Sequence, residues 1–267
     1  MSWARSKNWK PCAKERSKPC LRHQAFFVSD LHIGAEFNGV FPDREIHLCR
    51  FLDTLKTNAS HLFILGDLFE FWMEYRFYIA KSHFKLLMKL RELTDSGVEV
   101  HYLSGNHDFN LGQFFQQELG VQTHHHPFSL TLQNKRLLLL HGDGMAANDG
   151  MYRRIKKILV HPAANWAFKS IHPDWGMALA QWVGARSRKN HQPSNPGQYR
   201  KAAQKLFMKH HPDLLIHGHT HFHFVQTLEE GVYANSGEWV QKLQYLKLED
   251  GICTAHSYTP EESFTGH

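Results

Sequence analysis

The chain has 267 residues, a formal net charge of +6 and a sequence pI near 9.1, with 42% hydrophobic and 21% charged residues. No apolar run approaches the roughly 20 residues that a membrane-crossing helix needs, which excludes a helical span. The basic balance favours an anionic partner: nucleic acid, a phosphorylated metabolite or an anionic membrane face.

The length suits one domain with an insertion better than two domains. Residues 1–24 read as a basic, disordered tail: the stretch from Met1 to His23 lacks the apolar middle of a secretory signal. Cys12, Cys20, Cys49 and Cys253 show no paired framework, which fits a reduced, cytoplasmic setting, and Cys12 and Cys20 read as free thiols.

Short apolar runs then alternate with amphipathic segments, the pattern of a layered α/β domain over 25–267. Ala25 to Ser29, His61 to Leu65, Val98 to Leu103, Arg136 to Leu140 and Asp213 to Ile216 read as buried strands. Pro42 to Lys56 and Ala80 to Asp95 carry helical spacing. His124, His125 and His126, before Pro127, read as a solvated loop. After Gly218 come closely spaced strands, Phe222 to Thr227, Val232 to Asn235, Gln241 to Leu248 and Ile252 to Tyr258, which suggest a second sheet. The expected fold is a four-layer α/β/β/α sandwich. Between about 145 and 211 the sequence reads instead as a helical insertion bearing Trp166, Phe168, Trp175, Met177, Leu179 and Trp182. It is either a lid at the mouth of a site or a segment whose aromatics bury it against the domain.

Each of the five strands before Gly218 ends in a polar cluster. In order these are Ser29-Asp30-Leu31-His32, Gly66-Asp67-Leu68, Gly105-Asn106-His107-Asp108, His141-Gly142-Asp143 and His217-Gly218-His219-Thr220-His221. Sites in open α/β sheets lie at the carboxyl ends of strands, so clusters far apart in sequence would converge. One such cluster alone is a common turn; five in order supply the carboxylate, amide and imidazole donors that a pair of divalent ions requires, with Asp67 the natural bridge. Mixed oxygen and nitrogen ligation suits manganese, iron or zinc.

Asp-x-His, Gly-Asp, Gly-Asn-His-Asp, His-Gly-Asp and Gly-His-x-His in this order resemble the calcineurin-like metallophosphoesterase superfamily over residues 25 to 240. The resemblance implies the sandwich fold. It also implies that Asp30, His32, Asp67 and His221 hold one metal while Asp67, Asn106, His141 and His219 hold the other, with His217 behind them. His107 would protonate the leaving oxygen or steady phosphoryl charge, with Asp108 orienting its ring.

Ser29-Asp30-Leu31-His32-Ile33-Gly34, Gly66 through Trp72, Gly105 through Phe109 and His141-Gly142-Asp143-Gly144 further resemble the UDP-2,3-diacylglucosamine hydrolases of lipid A synthesis. That likeness implies a lipid-linked UDP-sugar substrate, two divalent ions with manganese first, contact with the inner-membrane surface from the cytoplasmic side, and no nucleic-acid partner. Asn106, Asp149 and Tyr152 would touch substrate, and the insertion would cap two acyl chains. Arg186, Arg188 and Lys189 would face the pyrophosphate or the membrane, or stand as solvated charge. The best-known members carry arginine where this chain has His107, which leaves room for other phosphodiesters. A third reading is a non-catalytic scaffold of the same fold.

Overall fold

The computed structural model describes residues 23–35, 41, 43–145, 161–189 and 195–260. Among them two sheets form the centre of the molecule. The first contains β1 (Gln24–Val28), β2 (Ala59–Ile64), β3 (Glu99–Leu103), β4 (Gln122–His124), β10 (Gln244–Glu249) and β11 (Ile252–Ser257), in the order β11-β10-β1-β2-β3-β4. The second contains β5 (Phe128–Leu132), β6 (Lys135–Leu139), β7 (Leu214–His217), β8 (His223–Thr227) and β9 (Val232–Ser236), in the order β5-β6-β7-β9-β8. β1 to β4 run parallel, as do β6, β7 and β9.

The strand period of two sets the layers. On β1, Ala25 and Phe27 face the second sheet, where they pack with Phe63, Leu65, Leu103, Leu139, Ile216 and Ala234. Phe26 and Val28 face outward onto α1 (Arg44–Asn58), α2 (Phe84–Asp95) and α3 (Phe114–Leu119), meeting Leu48, Phe51, Leu52, Leu86, Leu90 and Phe115. The outer face of the second sheet presents Leu138, Leu215 and Tyr233 to Ala203 and Phe207 of α6 (Pro196–His210). The result is the expected α/β/β/α sandwich.

Its partition differs from the expectation. The strands after Gly218 do not make the second sheet by themselves: β10 and β11 extend the first sheet, and β6 and β7 belong to the second. β4 claims His124, expected in a loop. That ring lies 3.1 Å from His101 by its nitrogens and stacks on Phe128 at 3.9 Å. The helix expected from Pro42 begins at Arg44, and Pro42 lies outside the described residues.

In the region read as an insertion, α4 (Pro162–Lys169), α5 (Pro173–Lys189) and α6 each begin with proline. His161 and Asn195 accept hydrogen bonds from the amides of Ala163 and Gly197, at 3.2 and 3.0 Å, so α4 and α6 are capped as well as started by local sequence. The tryptophans of α4 and α5 are not spent on burial: Trp166, Trp175 and Trp182 are 74%, 73% and 62% exposed. Phe168 packs on Phe71, ring centroids 5.5 Å apart, and Asn165 exchanges two hydrogen bonds with Asn110. α4 therefore docks on the loops that follow β2 and β3.

Truncating Phe63, fully buried between the sheets and stacked on Phe27 at 4.9 Å, should cost about 3–5 kcal/mol in chemical denaturation. Acid should also unfold the protein through its buried imidazoles. Burial pushes His217 down to about 3 and His83 and His101 down to about 4, from 6.5. Unfolded chains protonate these groups below pH 6.5 while the folded chain resists until pH 3 to 4. Their contribution to stability is complete above about pH 6.5 and falls as the pH drops from there toward 3 to 4, so the urea midpoint should be lower at about pH 5 than at about pH 7.

Candidate metal centre

The five polar clusters cap strand ends from both sheets and meet at one end of the sandwich. The amides of Leu31 and His32 both donate to the Asp67 carbonyl at 2.9 Å, stitching the loop after β1 to the loop after β2. Gly218 N–H donates to the His141 carbonyl at 2.8 Å, joining the loops after β7 and β6. The first and second sheets are tied where His219 N–H donates to Asp30 Oδ2 at 2.7 Å.

These loops are bent against local preference. φ is +53° at Asp30, +46° at His32, +53° at Asp67, +66° at His219 and +59° at His221. A non-glycine residue held in the left-handed region costs on the order of 1–3 kcal/mol, so five of them at one place are tolerated only because the surrounding fold imposes them. The bends also require close approach. A Cβ on Gly66 would lie 2.4 Å from His141 Nδ1, and one on Gly105 would lie 2.1 Å from Asp67 Oδ1.

Asp67 occupies the middle. Its Oδ2 lies 3.4 Å from His141 Nε2 and 3.7 Å from His32 Nε2, while Oδ1 accepts from the His107 amide at 2.9 Å. Asp30 Oδ2 accepts from the Ser29 hydroxyl and the His219 amide; its Oδ1 stands 3.5 Å from His221 Nε2, buried, with no hydrogen-bond partner. Asn106 Oδ1 is 3.0 Å from His141 Nε2, and the His219 ring stands 5.0 Å from the His141 ring. All seven residues expected as metal ligands are thus together.

The imidazole orientations follow from their outer partners. His141 Nδ1 faces the Leu65 carbonyl at 2.6 Å and His32 Nδ1 faces Glu70 Oε2 at 3.1 Å. Those oxygens accept, so each Nδ1 carries the proton and each Nε2 turns a lone pair inward. At His141 that lone pair meets the Asn106 oxygen, an arrangement that repels unless a proton or a cation lies between.

The electrostatics agree. Burial opposes ionisation of Asp30 and Asp67, yet His221 beside the first and His141 beside the second hold both carboxyls below their usual range. Burial also opposes charging of His141, but Asp67 and Asp30 push it up to about 10. A site that forces a buried imidazole to keep a proton is short of positive charge. The orphaned Asp30 oxygen, the inward Nε2 atoms and the amide oxygen form a donor set that fits divalent cations of the manganese, iron or zinc kind.

Asp108 corrects the expectation that it orients His107. Its Oδ1 accepts from the amides of Asp67 and Gly105 at 3.1 and 2.7 Å, and its Oδ2 accepts from Leu68 at 2.7 Å, Phe69 at 3.4 Å and the Tyr102 hydroxyl. The carboxylate clamps the second loop to the third. His107 instead donates from Nδ1 to the Glu70 carbonyl at 3.0 Å. Glu70 serves two imidazoles, and sequence reading gave it no role although it stands in the segment that begins at Gly66. Its signal was a carboxylate three residues past Asp67, where polarity is unexpected beside Phe69 and Phe71. His217 lies behind the site, donating from Nδ1 to the Gly218 carbonyl at 2.9 Å and accepting from the Tyr233 hydroxyl at 2.8 Å.

Of the expected substrate contacts, Asn106 stands within the cluster beside His141. Arg186 is exposed on α5, 6.0 Å above the Trp182 ring. Arg188 and Lys189 lie on the same helix. Asp149 and Tyr152 are outside the described residues.

Sandwich and donor set together define a metal-dependent phosphoesterase. The family model for calcineurin-like phosphoesterases matches residues 24–223, and the chain belongs to that family. Curated relatives named UDP-2,3-diacylglucosamine hydrolase align with it. The protein from Porphyromonas gingivalis is 31% identical over 175 residues, 64% of this chain and 65% of the relative. That from Nitrosococcus oceani is 34% identical over 199 residues, 73% and 78%. That from Tolumonas auensis is 32% identical over 233 residues, 84% and 92%.

Replacing Glu70 with Gln keeps its size but removes the charge that fixes His32, so divalent-metal affinity measured by calorimetry should fall about 10–100-fold. Asp108→Ala would strand several buried amide donors at once and should lower stability by at least about 3 kcal/mol in urea titration.

Proposed function

We propose that this chain hydrolyses the pyrophosphate of UDP-2,3-diacylglucosamine, releasing UMP and 2,3-diacylglucosamine 1-phosphate, as a step of lipid A biosynthesis. The observation that carries the reading is Asp67 Oδ2 between imidazole nitrogens of both sheets, in a chain whose curated relatives bear the name of that hydrolase. Asp30, His32, Asp67 and His221 would hold one ion, and Asp67, Asn106, His141 and His219 a second, manganese being the first choice. When bound, such ions neutralise phosphoryl charge and make water acidic enough to attack at neutral pH.

The chain's own groups do the rest. His32 and His141 keep their Nε2 lone pairs inward because Glu70 and the Leu65 carbonyl hold the opposite nitrogens. His107, pinned through Nδ1 to the Glu70 carbonyl and 3.7 Å from Glu70 Oε2, has its other nitrogen left for the phosphoryl group. Its cationic form would steady charge there; the departing phosphate monoester, with a second pKa of about 6, needs no proton donor.

Exposed Trp166, Trp175, Leu179 and Trp182 on α4 and α5 support a cap for acyl chains and contact with the membrane face, with Arg186, Arg188 and Lys189 at the helix end. Among the described residues no helix is long and apolar enough to cross a membrane. On this reading the protein works on the cytoplasmic side, peripheral to the inner membrane. Histidine at position 107, where the resemblance expects arginine, favours a second reading: a phosphodiester or nucleotide substrate with a poorer leaving group.

Asp67→Ala should abolish manganese-dependent turnover while far-UV circular dichroism stays native. His107→Ala should lower kcat about 10²–10³-fold. With UDP-2,3-diacylglucosamine and acyl-free UDP-glucosamine as paired substrates, the lipid should turn over far faster, and Trp166→Ala with Trp182→Ala should raise KM for the lipid alone. Equal turnover of both substrates would remove the cap, and faster turnover of cyclic nucleotides would establish the second reading.

A further inference from the structure

At the opposite end of the first sheet, β2 and β3 begin with donor groups that the phosphoesterase centre does not use. His61 on β2 pairs in register with Glu99 on β3, and His101 follows two residues later, so the three side chains share one face. It is the face turned toward the second sheet: the Phe63 ring lies 5.8 Å from His61 and 4.8 Å from His101, nearly parallel to both.

The three groups are close. His61 Nε2 is 3.6 Å from Glu99 Oε2, and one donor atom from each of His61, Glu99 and His101 lies within 4.8 Å of the other two. His101 is 4% exposed; its Nδ1 meets His124 Nε2 at 3.1 Å, while its Nε2 is buried with no hydrogen-bond partner. His61 likewise places Nδ1 against the Ser60 hydroxyl at 2.9 Å, leaving Nε2 for Glu99. Each ring is therefore held by one nitrogen and keeps the other, which is how imidazoles are prepared for a metal.

We infer that His61, Glu99 and His101 form a second divalent-cation site, of the zinc class, separate from the phosphoesterase centre, whose ion ties the starts of β2 and β3 together.

Around tetrahedral zinc, nitrogen and oxygen ligands at about 2.0–2.1 Å lie roughly 3.3 Å from one another. The His61–Glu99 pair is within a few tenths of an ångström of that spacing. The Glu99 side chain is 61% exposed and can swing to close the remaining distance, and it opens the site to solvent, which supplies both a route in and a fourth ligand. Burial holds His101 at about 4 and His61 below its ordinary value, so both rings are neutral near pH 7. Stacking alone would account for a row of imidazoles; it does not account for a buried nitrogen of His101 left without a hydrogen-bond partner. Two imidazoles and one carboxylate do not need a thiolate to hold zinc.

The test compares the full-length protein with Glu99→Gln and His61→Gln variants, each saturated with zinc, freed of excess by gel filtration and analysed by plasma mass spectrometry. Each variant should retain one equivalent of zinc per chain less than the parent, lose part of the zinc-induced rise in Tm, and keep its manganese-supported turnover. Glu99→Gln changes an exposed side chain at the first position of β3 and is the variant least able to disturb folding. Equal zinc content in parent and variants, or an equal zinc-induced rise in Tm, would overturn the site. The comparison is a difference, so a phosphoesterase centre holding fewer ions than proposed lowers all three proteins alike and leaves the outcome readable.

Discussion

A carboxylate buried between imidazoles from two different sheets governs the whole arrangement. Asp67 is 1% exposed, and moving such a charge out of water costs several kcal/mol unless it is met by opposite charge and hydrogen bonds. His141 arrives from the second sheet and His32 from the first, and the His107 amide covers the remaining oxygen. The two layers of the sandwich are thereby committed to one register at this end: sliding one sheet along the other would separate Asp67 from His141. The same geometry leaves Asp30 Oδ1 without a hydrogen-bond partner, so the folded chain keeps a buried carboxylate oxygen that a divalent ion would satisfy.

Asp108 and Glu70 show how the loops at the strand ends are held. Asp108 collects four amides from the segments after β2 and β3 and the Tyr102 hydroxyl from β3 itself, making a rigid joint out of two turns. Glu70 receives His32 on its side chain and His107 on its carbonyl, so the orientations of both rings depend on one residue. Strain in the left-handed residues is balanced by these bonds, which is why the loops need no long secondary structure of their own.

The sequence made the five clusters and most strands legible because each lies at the end of a buried apolar run, and such runs announce themselves. What it concealed was partnership. A fully buried strand such as Leu214–His217 reads the same in either sheet, so β6 and β7 could be found but not assigned, and the antiparallel return of β10 to β1 was invisible. β4, three residues long, was too short to show alternation. The role of Asp108 was hidden for a related reason: its position beside His107 pointed along the chain, whereas its hydrogen bonds run 39 to 41 residues back to the preceding loop.

The bond from the His219 amide to Asp30 spans 189 residues of chain. Pairing at such separation is slow, because loop entropy must be lost before any contact compensates it. The three donors carried by the second sheet, His141, His219 and His221, therefore join the other four only with the completed tertiary structure, and an ion arriving earlier finds an incomplete set. Loading with metal becomes a late step of maturation, and the unfolded polypeptide has little means of competing for scarce cations with proteins already finished.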